Sequence, residues 1–85
     1  MALYLLSYDL HKETEFDYEV LWDELKKFKA VRVLESDWCF KRINTNAKGL
    51  RAHFKQFIHK QDRLFITEID DWAGYRLRGN PNALP

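Results

Sequence analysis

One cysteine, almost no net charge and no long apolar run are the first things the sequence withholds, and each scarcity removes a class of protein. Cys39 alone forms no intrachain disulfide, and with three scattered histidines it offers no zinc-ligand spacing. A reducing compartment, the cytoplasm, is the expectation. A formal charge of +1 supplies no bulk field, so any nucleic-acid contact has to come from local clustering. No stretch approaches the ~20 apolar residues of a membrane helix and no signal-peptide pattern opens the chain, so no membrane association is expected. Glycine is missing from residues 31–43, which leaves the turn there without its usual marker.

Aromatic residues are plentiful by contrast: three Trp, four Tyr and six Phe. They matter because a chain of 85 residues makes one domain that buries only roughly 60 to 65% of its unfolded surface. Large rings, each worth ~1.5–3 kcal/mol when fully buried, compensate for that small core. The expected domain covers residues 1–78, with a tail at 79–85.

Ala2 to Leu10 is apolar on both alternating sets, which predicts a strand covered on both sides. The stretch from His11 to Asp17 is polar and acidic. Tyr18, Leu21, Trp22, Leu25 and Phe28 then repeat at helical spacing, with acids toward the start and lysines toward the end. Val31 to Ile43 predicts two strands hinged at Glu35-Ser36-Asp37. Asn44, Thr45 and Asn46 offer caps for a second helix carrying Ala47, Leu50, Phe54, Phe57 and Ile58 on its apolar side. Lys48, Arg51, Lys55 and His59 lie on the other side, either as a track for a nucleic-acid backbone or as a solvated face. Arg63 to Ile69 is again apolar on both sets and is expected beside the first strand at the centre of the sheet. Tyr75 to Arg78 offers a short fifth strand before Gly79-Asn80-Pro81. The order predicts an α+β fold: a ferredoxin-like βαββαβ sandwich, with an antiparallel sheet and two helices on one face. Its other face needs a cover, and a second copy of the chain is the simplest.

Asp9, at the end of the first strand, reads either as an oxygen ligand for a hard cation or as a turn or surface carboxylate. Arg32 reads as a phosphate contact or as half of a surface ion pair. Ser36 is a turn residue rather than a nucleophile, since no His is placed to activate it. His11 reads as an acid, base or ligand, or as a solvated loop residue. Cys39, Trp22, Trp38, Phe54 and Phe57 read as core.

YLLSYDL, the helix after it, RVLESDW and RLFITEI resemble the small CRISPR-associated protein that accompanies the spacer integrase, and its relatives in the virulence-associated protein D family. The resemblance runs from Met1 to about Arg78. It implies a homodimer in which Tyr8 and Asp9 end the first strand and Asp9 of each subunit holds a magnesium ion near the two-fold axis. Arg32, Ser36 and Trp38 match the Arg, Ser and aromatic positions of a second motif, while Leu34 and Asp37 depart from it and weaken the case for a substrate contact there. Arg76 and Arg78 fall in the segment that crosses to the partner in that family and are candidates for substrate or dimer contacts. The implied function is a metal-dependent endonuclease acting on RNA or DNA. Two alternatives share the fold: a non-catalytic nucleic-acid-binding or adaptor dimer that serves an integrase, and a ribonuclease toxin held by an antitoxin.

Overall fold

Ala2–Asp9 forms β1, Glu19–Lys27 α1, Val31–Leu34 β2, Asp37–Arg42 β3, Ala47–Phe54 α2 and Arg63–Ile69 β4. This computed structural model describes residues 1–11 and 17–84, so the acidic stretch expected after His11 lies, apart from its two ends, outside the described residues. The sheet order is β2-β3-β1-β4, antiparallel throughout. The two central strands are therefore β1 and β3, and β4 is an edge, not the central strand that its two-sided apolar pattern suggested.

Alternation along β1 divides its side chains. Tyr4, Leu6 and Tyr8 point into a core with Phe40 of β3, Leu21 and Leu25 of α1, and Leu50 and Phe54 of α2, so both helices cover one face. Rings dominate it: Phe54 lies 4.8 Å from Phe28 and 5.8 Å from Phe40, centroid to centroid. The other set, Leu3, Leu5, Ser7 and Asp9, shares the open face with its cross-strand partners Ile69, Thr67, Phe65 and Arg63. Phe65 stands 64% exposed there.

The β2–β3 turn falls at Glu35-Ser36, inside the expected Glu35-Ser36-Asp37 hinge, while Asp37 opens β3, and the register shifts between Arg32 and Leu34. α2 is capped by Asn46, whose side chain accepts from Gly49 N at 2.8 Å. Asn46→Ala is expected to cost about 1 kcal/mol and to lower Tm by about 4–8 °C in a thermal melt followed by circular dichroism. α1 closes on Lys29, held at φ 55° while its N–H donates to Lys26 O and that of Ala30 to Leu25 O. Left-handed backbone costs a side-chain-bearing residue about 1 kcal/mol relative to glycine.

Among the described residues no fifth strand forms, and Tyr75 to Arg78 is irregular chain. Residues 72–80 run as irregular chain beside β2, tied by one backbone bond from Arg78 N to Val33 O at 2.8 Å. Gly79 sits so close that a Cβ there would lie 2.6 Å from Arg32 O, which is why a side chain is absent. Pro81 beyond it is buried. The tail thus packs on the sheet of its own chain, because a backbone edge offers bonds that no side-chain pattern announces. Among the described residues no helix is long and apolar enough to cross a membrane.

Candidate functional site

The end of β1, the start of α1 and the β2–β3 turn converge on a cleft of about 190 Å³ lined by Tyr8, Asp9, Leu10, Trp22, Arg32, Glu35 and Ser36. Four residues singled out in the sequence, Tyr8, Asp9, Arg32 and Ser36, are thereby brought together. Strand alternation then separates the first two: Tyr8 turns toward the helices and Asp9 toward the open face.

Tyr8 is buried, and its hydroxyl accepts from Trp38 Nε1 at 3.0 Å while facing Glu35 O at 3.5 Å. Burial pushes the phenol upward; the Trp38 hydrogen bond and the Arg32 charge only partly offset this, so Tyr8 keeps its proton at neutral pH. Trp22 and Trp38 stack with centroids 6.1 Å apart, and the Arg32 guanidinium lies 5.8 Å and 5.5 Å from their centroids. Arg32 Nε and Nη2 both donate to Glu35 O. Arg32 therefore fastens the turn, and its charge also acts on the Tyr8 hydroxyl. Ser36 contributes its carbonyl, which accepts from Tyr8 N at 3.1 Å. Trp22 and Trp38 pack against the core as expected, but only partly buried, and Trp22 also walls the cleft.

Asp9 is a lining residue of three adjoining depressions. Besides the cleft above, about 170 Å³ lies toward Ser7, Arg63 and Phe65, and about 170 Å³ toward His11, Gln61 and Arg63. Asp9 Oδ2 accepts from Arg63 Nη1 at 3.3 Å, across the β1–β4 pair, with side chains 72% and 84% exposed. The sequence reading missed Arg63; only the antiparallel register, Asp9 opposite Arg63, places it. His11 is exposed, and its backbone N–H rather than its ring is engaged, donating to Asp62. Arg76 and Arg78 lie elsewhere: Arg76 is stacked 5.1 Å from the Tyr75 centroid in the tail, and Arg78 is the residue whose N–H joins β2. Cys39 is buried, and burial, then Asp37, pushes its thiol up, so it stays protonated.

Among the described residues no group of three or more His, Cys, Asp or Glu side chains could hold a metal ion. Among the described residues Asp9 and Glu35 are the acidic residues that line the cleft. No protein-family model matches the chain, and no solved structure matches it.

Proposed function

We propose that the chain acts as a homodimer, joined through the open face of its sheet, that hydrolyses phosphodiester bonds of RNA or DNA. The supporting observation is the place of Asp9: exposed, at the end of a central strand, on the same face as exposed Phe65, and at the meeting point of three depressions. Pairing through that face brings Asp9 toward its symmetry mate. Two carboxylates there suit magnesium, which takes one or two carboxylates and keeps several waters. When bound, the ion polarises a phosphoryl oxygen. The Arg63 contact does not forbid this. An ion pair this exposed contributes less than about 1 kcal/mol, so a divalent ion displaces the guanidinium readily and frees Arg63 for a phosphate. Arg32, beside the two indoles and fastened to Glu35 O, offers a second cation in a fixed position. The resemblance to the small CRISPR-associated protein supports the same assignment of Asp9.

One observation favours a second reading. Arg63 already neutralises Asp9 in the single chain, which suits a dimer that binds nucleic acid or serves an integrase without cutting. Incubation of the purified protein with RNA and DNA in magnesium separates the two. The nuclease reading expects cleavage that is lost with Asp9→Asn or chelator, in a variant that folds normally because Asp9 is exposed. Binding that survives Asp9→Asn, with no cleavage by the wild type, would establish the binding module instead. A toxin restrained by an antitoxin shares the first chemistry and adds growth arrest on expression.

A further inference from the structure

We propose that a cavity at the opposite end of the sheet from Asp9 binds the phosphates of a nucleic-acid backbone. The cavity measures about 270 Å³ and is lined by Lys27, Lys29, Lys41 and Arg42, with Phe28 and Leu84 among its apolar walls. Among the described residues no acidic side chain lines it. The chain as a whole has 14 basic and 13 acidic residues, so four basic side chains lining one concavity with no acidic one among the described residues are a local departure from an almost neutral molecule. Two of them, Lys27 and Lys29, follow from the C-terminus of α1, where cations complement the helix dipole. Lys41 and Arg42 do not: they come from β3, and the fold brings them to the same place. Like charges gathered in a concave, low-dielectric surface raise the local positive potential and concentrate anions.

Arg42 is held ready. Its guanidinium lies 3.9 Å from the Phe28 centroid and one nitrogen donates to Phe28 O and Lys41 O, which leaves its other nitrogens for a ligand. Lys29 reaches the cavity from the left-handed position that glycine occupies more cheaply. Lys27 has an acidic neighbour, Glu24, but at 3.9 Å, and that carboxylate is drawn to His53 Nε2 at 2.5 Å. The ends of the eight-residue β1 are roughly 23 Å apart, so this site and Asp9 engage different stretches of a bound strand.

The test is fluorescence anisotropy with labelled RNA and DNA oligonucleotides across a salt series, in chelator and on the Asp9→Asn background, so that it stands apart from any cleavage. Lys29→Gly or Lys41→Gln should each weaken binding roughly 5- to 10-fold at about 0.1 M salt and flatten the dependence of log affinity on log salt by about one. Lys29→Gly should at the same time raise Tm, since it relieves the backbone, and weaker binding by a more stable protein cannot be attributed to misfolding. The proposal is overturned if neither oligonucleotide binds at low salt, if both variants keep the wild-type affinity and slope, or if only tripolyphosphate, added as a competitor, is bound.

Discussion

Phe54→Ala is expected to remove most of the stability of this domain. The ring is fully buried between the two layers and meets Phe28, Phe40, His53 and Phe57 at centroid distances of 4.8 to 6.4 Å. Truncating a buried Phe to Ala costs about 3–5 kcal/mol, because the lost transfer free energy is joined by a cavity that rigid neighbours cannot close. A folded chain of this length holds about 4–13 kcal/mol in all. Urea denaturation followed by circular dichroism should therefore show a midpoint far below the wild type, or no folded baseline. The same substitution at Phe65, 64% exposed on the open face, should leave the stability of the single chain within about 0.5 kcal/mol. An equal loss at both positions would mean that the open face is part of the core.

Asp62→Asn should be the most costly single polar change, and its cost should depend on pH. The carboxylate accepts from His11 N at 2.6 Å, from His59 N at 2.7 Å and from the Tyr18 hydroxyl at 2.7 and 2.8 Å. It thus ties the segment after β1 to the N-cap residue of α1 and to the connection before β4. Burial alone would raise its pKa, but the bonds from His11, Tyr18 and His59, with the nearby His59 charge, outweigh burial and hold it below the ordinary carboxylate value. An amide keeps one acceptor oxygen and loses the charge, for about 1.5–3 kcal/mol at neutral pH. Because the folded pKa lies below the unfolded one of about 3.9, the unfolded chain binds more protons in the interval between them, and stability falls as pH drops through it. The difference between wild type and Asp62→Asn should therefore be full above about pH 5 and shrink below pH 4. A difference that stays constant in urea denaturation from neutral to acid pH would show that the charge of Asp62 contributes nothing.

The sequence carried the architecture where local chemistry decides. Asn46 caps α2, the turn falls at Glu35-Ser36, and the apolar stripes of both helices reach the core because period and cap residues act over a few positions. Strand order was harder to read. Leu64 and Ile66 face the core while Phe65 stands in solvent, and a strand apolar on both sets looks the same in the middle of a sheet as at an edge awaiting a cover. The tail was misread for a related reason: its attachment runs through the N–H of Arg78 and the bare Cα of Gly79. At the candidate site, Asp9 was singled out by its place at a strand end, and Tyr8, Arg32 and Ser36 through the family resemblance. Arg63 and the Asp62 hub were not, since their partners lie across the sheet or come from distant segments.

The seat of Gly79 against β2 also bears on which strand edge is open to pairing. An exposed strand edge is a template for any other chain, and a protein with two free edges can grow into a fibre. Here one edge is occupied by the chain's own tail, leaving β4 as the edge with no strand partner among the described residues. A strand that adds to this sheet by edge pairing is thereby directed to β4 rather than to β2.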